Sequence, residues 1–416
     1  MKHPTFLFVS LAATLLLAAA APVQPQQDAA KTLKIVSSLP RTGSANAQTT
    51  SITNGIRIAI QERGGQVDGY TIAYEDMDDA SPQKGNWDPQ VESANAKKAV
   101  KDAQVVGYIG TYNSGAAKIA MPILNEAGLV MVSPGNTYPG LTKPGTGEAN
   151  EPMVYRPSGK VTYFRVVPTD DLQGALAAEW SKELGAKRAF VLHDRELYGK
   201  GIADVYKATA GKLGIEVVGF EGIDPKASNY RSLVTKIRAA NPDIVYFGGT
   251  TQTNAGQILK DMRAGGLKVP FMSPDGTFEN AFIKAAGKDN MQADTGGVYI
   301  TFGGLPSEQL TGRGAEFVKK YQEKYGEIPE AYAVYGYECA RVLLDAIDRA
   351  ETKDRAGILA AVAATKDFDG ALGTWSFDAN GDTTNRVLSG NTVKGDKFEF
   401  VKVLGRGPAA AAAQGQ

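Results

Sequence analysis

Along this chain, short apolar runs alternate with longer stretches in which apolar residues return at helical spacing. Leu33–Val36, Val105–Ile109, Leu129–Val132, Ala189–Leu192, Ile215–Phe220, Ile244–Phe247 and Val298–Ile300 read as buried strands. A continuous apolar run of strand length has both of its faces covered. Between these runs, Leu172, Ala175, Leu176, Trp180 and Leu184 share one helical face, and Tyr337, Ala340, Leu344 and Ile347 share another. The alternation predicts βαβ units and parallel sheets. With 416 residues, 43% of them hydrophobic, the chain is too long for one ordinary core, and two α/β lobes are expected.

The rhythm fails from Tyr138 to Thr162, where Pro139, Pro144, Pro152 and Pro157 stand among glycines. A stretch of this length without periodicity is either a working lid or rim, or a surface insertion. The ends are different again. Lys2 and His3 precede an apolar run from Phe6 to Leu17 and alanines ending at Ala21, the pattern of a cleaved secretory signal over residues 1–21. Residues 22–31 and 405–416 are polar or small and read as loose tails.

Charge and cysteine usage narrow the partners. The 45 basic and 45 acidic residues cancel, which removes the electrostatic case for nucleic acid or an anionic membrane and favours a neutral or zwitterionic partner. Export normally invites disulfides, but Cys339 is the only cysteine. It lies in an apolar-periodic helix and reads as a buried structural thiol.

Catalytic chemistry is scarce. His193 is the only histidine left once His3 departs with the signal, and no nucleophile elbow, phosphate loop, dinucleotide turn or zinc motif occurs. No enzyme, cofactor or metal is expected. His193-Asp194 ends a strand and reads as a structural or rim pair. Two acidic groups, Glu75-Asp76-Met77-Asp78-Asp79 and Asp378-Ala379-Asn380-Gly381-Asp382, lack calcium-loop spacing and read as solvated loops, the first after a strand and the second a Gly-centred turn.

More informative are the strand ends, because open α/β sheets bind ligands beyond the carboxyl ends of their strands. Thr111-Tyr112-Asn113-Ser114 follows Ile109-Gly110; Ser114 either caps the next helix or, with the free amides there, receives a carboxylate. Ser133-Pro134-Gly135-Asn136-Thr137 offers carbonyls and the Thr137 hydroxyl as acceptors for an ammonium. Asp275 in Ser273-Pro274-Asp275-Gly276 either caps a helix or pairs with a positive charge. Tyr198 begins a helix after His193-Asp194 and suits a cleft wall.

These stations, in this order, resemble the type I periplasmic binding proteins of branched-chain amino acid transporters, the leucine/isoleucine/valine-binding family. Asn54-Gly55-Ile56-Arg57-Ile58-Ala59-Ile60, Gly107-Tyr108-Ile109-Gly110, Ser133-Pro134, His193-Asp194 with Tyr198-Gly199-Lys200-Gly201, Phe247-Gly248-Gly249, Gly256-Gln257-Ile258-Leu259 and Phe271-Met272-Ser273-Pro274-Asp275-Gly276 carry the likeness. The resemblance implies two doubly wound parallel-sheet lobes, 32–168 plus 300–375 and 169–299 plus 376–404, joined by a three-crossing hinge. It implies a monomer outside the cytoplasm that delivers a small amino acid, branched-chain foremost, to an ABC transporter permease.

By the same likeness Ser114, with backbone near Tyr112, would hold the ligand's carboxylate. The Gly135 carbonyl and Thr137 would take its ammonium, with Asp275 as counter-charge and Tyr198 as wall. Asp275 is one methylene shorter than the family's usual glutamate, and Thr250 stands where an aromatic is common, which implies a larger side-chain pocket. Another amino acid, an amide or urea, or a sensory role, are the competing readings.

Overall fold

The computed structural model describes residue 1 and residues 31–405. The signal expected at 1–21 and the tails at 22–31 and 405–416 fall, apart from Met1, Lys31 and Gly405, outside the described residues. No helix among the described residues is long and apolar enough to cross a membrane.

The first half of the chain runs β1 (Thr32–Leu39), α1 (Asn46–Glu62), β2 (Gln66–Val67), β3 (Tyr70–Asp78), β4 (Ala80–Ser81), β5 (Asn86–Trp87) and α2 (Pro89–Lys101). It continues through β6 (Val105–Gly110), α3 (Ser114–Glu126), β7 (Val130–Ser133) and β8 (Tyr163–Arg165). Six of these strands form one sheet in the order β2-β3-β1-β6-β7-β8. All its pairings are parallel except β2 with β3. Parallel neighbours need crossovers, and α1, α2 and α3 supply them.

A second sheet takes over after β8. The chain passes α4 (Asp170–Glu183), β9 (Arg188–His193), α5 (Leu197–Lys212), β10 (Glu216–Gly222), α6 (Arg231–Ala240) and β11 (Ile244–Gly248). Then come α7 (Ala255–Ala264), β12 (Phe271–Ser273), α8 (Asn280–Ala286) and β13 (Val298–Phe302). The chain returns to the first sheet as α9 (Arg313–Tyr325), α10 (Ala333–Arg349) and α11 (Arg355–Ala363), with α10 packed on α1 and β6, and α11 on β6 and β7. A small hairpin, β14 (Phe368–Gly370) and β15 (Gly373–Trp375), leads to β16 (Leu388–Lys394) and β17 (Lys397–Gly405). These close the second sheet in the order β10-β9-β11-β12-β13-β16-β17.

Three expectations need correction here. The boundary expected at 299/300 cuts through β13, which pairs with β12 and β16. The last two strands add antiparallel, β16 to β13 and β17 to β16, the second pair because Gly395-Asp396 joins them as a tight hairpin, with Gly395 at φ 63°. The face expected for α4 is also displaced: Leu172, Ala175 and Leu176 are only half-buried and Leu184 is exposed, while Gln173, Gly174, Ala177, Ala178 and Ser181 are buried. A Cβ on Gly174 would come within 3.0 Å of Val205 and of the Ile202 carbonyl. Close packing on α5 therefore selects the small-residue face. Along α10 the expected face holds, with Tyr337, Ala340, Leu344 and Ile347 all buried and Cys339 buried beside them as a free thiol.

Candidate functional site

The carboxyl ends of β6 and β7 are stitched together before they reach any ligand. The fully buried Asn136 donates from Nδ2 to the Thr111 hydroxyl and the Tyr112 carbonyl, each at 3.1 Å. Ser133 Oγ accepts from the Gly135 and Asn136 amides at 3.2 and 2.9 Å. Gly135 fits closely here, since a Cβ would sit 3.3 Å from the Tyr112 ring and its carbonyl oxygen. The Arg165 guanidinium, with none of its side chain exposed, donates to the carbonyls of Asn136 and Tyr138 at 3.1 and 2.7 Å. It pairs with Asp382 at 2.6 Å.

On this platform stands the amino end of α3. Ser114 is its first residue and not its cap, contrary to one of the two roles open to it; Asn113 takes the cap position and gives no side-chain cap bond. The first turn therefore keeps amide donors and the positive end of the helix dipole available to an anion. The Asn113 Oδ1 is buried without a partner.

Across from it the second sheet brings Asp275, which begins a short 3-10 turn after β12. Tyr198, at the start of α5, donates to Asp275 Oδ1 at 2.8 Å and receives the Gly276 amide at 3.1 Å. Tyr332 donates to Asp275 Oδ2 and meets Tyr112 edge to face, with centroids 5.6 Å apart. Burial raises the Asp275 pKa against the pull of the two tyrosine hydroxyls. Thr137 is buried nearby, its carbonyl accepting the Asp170 amide at 2.9 Å and its hydroxyl making no hydrogen bond of normal geometry.

Together Tyr112, Asn113, Ser114, Gly135, Tyr198, Thr250, Asp275, Gly276 and Tyr332 line a cavity of about 20 Å³. Five of the six residues singled out in the sequence thus converge, and Thr137 is not among those lining the cavity. The Thr250 methyl lies against Gly276 on the wall of this cavity. A space this size holds roughly one water molecule, so a larger solute enters only if the two walls separate.

Sequence reasoning missed Asn113, Gly276, Tyr332 and Asp170. The Asp170 carboxylate is buried at the start of α4, and neither oxygen makes a hydrogen bond of normal geometry. Its pKa stands well above the carboxylate range, first through burial and then through the charge of Asp275; the Thr137 hydroxyl opposes the rise. Gln173, whose amide tempers Asp275, leaves its Oε1 unpaired as well. Asp170 and Gln173 thus present buried acceptor oxygens without a hydrogen bond of normal geometry, and only the Thr137 hydroxyl and the Arg165 charge temper Asp170. None of the nine lining residues is cationic.

His193 keeps the structural role read for it. Its Nδ1 accepts the Arg195 amide at 3.1 Å, its ring packs on Phe220, and it does not line the cavity. The acidic groups differ from their reading as solvated loops. Glu75, Asp76 and Asp78 lie within β3, where Glu75 pairs with Lys98 and Asp76 with Arg41. Asp79 is buried without a partner near Glu92, and Asp382 is buried against Arg165. The Gly-centred turn at 378–382 does form, with Gly381 at φ 91°.

Comparison with known proteins accords with this geometry. A family model described as periplasmic binding protein matches residues 32–396. The Leu/Ile/Val-binding protein homolog 1 of Brucella abortus is 31% identical over 83% of this chain and 85% of its own length. A leucine binding protein from Thermotoga maritima superposes with TM-score 0.78 at 27% identity, over 89% of this chain and 98% of that one. A branched-chain amino acid transporter substrate binding protein from Streptococcus pneumoniae, solved with isoleucine, gives TM-score 0.78 at 25% identity, over 90% of this chain and 100% of that one.

Proposed function

Since the chain belongs to the periplasmic binding protein family, we propose that it captures a small α-amino acid, branched-chain foremost, and delivers it to an ABC transporter permease. The observation that carries the ligand class is the charge pattern of the site. Buried Asp170 and Asp275 stand on one side, where no cationic side chain lines the cavity and the Arg165 charge only partly offsets the burial of Asp170, and the uncapped end of α3 with Ser114 stands on the other. A zwitterion satisfies both. Its carboxylate accepts from Ser114 and the first amides of α3, and its ammonium supplies the donors that Thr137, the Gly135 carbonyl and the acids lack. Tyr112, Tyr198 and Tyr332 enclose the remainder.

The ligand is seated as the halves close. In this reading lobe one comprises 32–168 and about 303–375, and lobe two comprises 169–302 and 376–404. Ser114, Gly135 and Thr137 come from the first and Tyr198 and Asp275 from the second. A ligand that bonds both favours the closed arrangement, and only that differential affinity shifts the population. The protein acts by binding alone, as a monomer outside the cytoplasm, with the permease reading the closed shape.

Thermal melting of the mature protein with leucine, isoleucine, valine, the other amino acids, short amides and urea tests this. A ligand at a hundred times its Kd stabilises the folded state by about 2.7 kcal/mol. A shift with a branched-chain amino acid that Asp275→Ala removes supports the reading. Silence from every amino acid with a response to an amide overturns it.

A further inference from the structure

The proline-rich segment from Tyr138 to Thr162 is tied to the site by its first residue. The Tyr138 amide donates to Ser114 Oγ at 3.4 Å. Because that oxygen accepts there, its own O–H is left to donate toward the cavity. The Tyr138 carbonyl is held by Arg165 at 2.7 Å, so the backbone at this point is fixed from both sides.

The side chain of the same residue reaches the other half. Its ring lies against Gly201 on α5, where a Cβ would come within 2.8 and 2.9 Å of two ring carbons. Gly201 is a costly residue inside a helix, by roughly 0.5–1 kcal/mol relative to alanine, and the ring's seat accounts for it. One turn earlier on α5, Leu197 packs against the apolar cluster that includes Tyr138, Leu141 and Tyr155.

The rest of the segment holds the ring in place. Tyr138 donates its hydroxyl to Glu151 Oε2 at 3.0 Å, and Tyr155 donates to Glu151 Oε1. The Glu148 amide donates to the same carboxylate at 2.9 Å, and Lys118 on α3 pairs with it at 2.9 Å. Gly140 and Gly147 permit this closure, because a Cβ on either would collide with the Glu151 carboxylate. A buried carboxylate with four donors has one orientation, and the ring bonded to it shares that constraint.

We propose that Tyr138 is a positioning residue that couples the ligand seat at Ser114 to closure of the second half, with Glu151 and the 138–162 segment as its clasp. This rests on the reading of the site as an interlobe cleft. The Tyr138–Gly201 contact exists only when the halves are together, so it sustains a closed fraction before any ligand arrives. It also orients Ser114 as the halves meet.

The test uses the full mature chain with spin labels on cysteines introduced at the exposed Lys101 and Lys212, Cys339 remaining buried. Interlabel distances are measured without ligand and with L-leucine. Ligand-free wild type is expected to show a short-distance component. Gly201→Ala should at least halve it and raise the leucine Kd by about tenfold, within the usual range of coupling between sites.

Melting of ligand-free Gly201→Ala should not fall, because the added methyl favours the helix. In a Tyr138→Ala background Gly201→Ala should add nothing, and Glu151→Gln should reproduce part of the Tyr138→Ala shift. The proposal is overturned if ligand-free wild type has no short component, or if Gly201→Ala leaves the distribution unchanged. It is overturned equally if Gly201→Ala acts the same with and without the Tyr138 ring. If leucine moves nothing while Gly201→Ala still depletes the short component, the clasp stands and the ligand reading fails.

Discussion

Removing the Asp382 carboxylate should destabilise this protein more than any surface ion pair could. Arg165 is wholly buried, and its Nε meets Asp382 at 2.6 Å. Thr142 donates to the other Asp382 oxygen at 3.0 Å. Asp382→Ala would leave a guanidinium buried without a counter-charge, which typically costs about 3–5 kcal/mol. With an unfolding entropy of ~2.1 cal/mol/K per residue over about 370 folded residues, that corresponds to a fall of roughly 4–6 °C in Tm. Arg165→Met should be worse, because it strands the carbonyls of Asn136 and Tyr138 as well as the Asp382 charge. Asp382→Asn, which keeps an acceptor oxygen, should be mildest. Calorimetry on the three variants gives the order, and hydrogen exchange at 136–142 should accelerate in step with it. A loss of less than 1 °C for Asp382→Ala, or Arg165→Met melting above Asp382→Ala, refutes the reasoning.

Ser114→Ala should weaken leucine binding by about ten- to a hundredfold, the value of one hydrogen bond to a charged group at ~1.5–3 kcal/mol, as read by titration calorimetry, and loss of the acceptor for the Tyr138 amide should lower Tm of the free protein slightly, as read by scanning calorimetry. Burial raises the pKa values of Asp170 and Asp275, and the Asp275 charge raises that of Asp170 further, whereas an ammonium favours their ionised forms. Binding should therefore release protons, and affinity should rise with pH above the ordinary carboxylate value of 3.8 until both have ionised. Titrations in buffers of different ionisation enthalpy count those protons, and a pH-independent affinity contradicts the assignment. Glu92 is pushed up to about 8 by burial, so its contribution to stability is intact below 4.5 and declines as pH rises toward 8. Glu92→Gln should flatten that part of the Tm–pH profile. Arg355 ties α11 to the carbonyls of Ala99, Val100, Asp102 and Val105, and Arg355→Met should cost about 1–3 kcal/mol by leaving buried acceptors unpaired, measurable by denaturant unfolding.

The alternation of strands and helices was legible because it is written locally, and with it the strand-end stations that hold Tyr112, Ser114, Gly135, Tyr198 and Asp275. Asp170 was not legible: an acid in the first turn of a helix ordinarily serves the dipole in solvent, and only its burial near Asp275, brought there by the end of β12, makes it a member of the site. Tyr332 was hidden for the same reason, lying 57 positions from the carboxylate it bonds. Asp382 looked like a turn residue and was one. Its ion pair lies 217 positions away, beyond anything a local pattern encodes. The face of α4 failed because two stripes competed on one helix, and the stripe that packs on α5 is chosen by the closeness of Ile202 and Val205 to Gly174.

The electrostatics of the site also explain why a neutral amide or urea is the weaker candidate. A neutral ligand could donate N–H groups to Thr137 and Asp275, but it brings no charge to add to that of Arg165 against Asp170, whose two oxygens are buried and make no hydrogen bond of normal geometry. Those acids would then remain protonated, and the positive end of α3 would face a carbonyl where it could face a carboxylate. An α-amino acid answers both ends at once, with charge-assisted bonds roughly twice as strong as neutral ones. Asp170→Asn separates the cases. It should cost an amino acid ligand much of its ammonium contact while leaving a neutral amide nearly unaffected, so the ratio of the two affinities shows which chemistry the cage was built to hold.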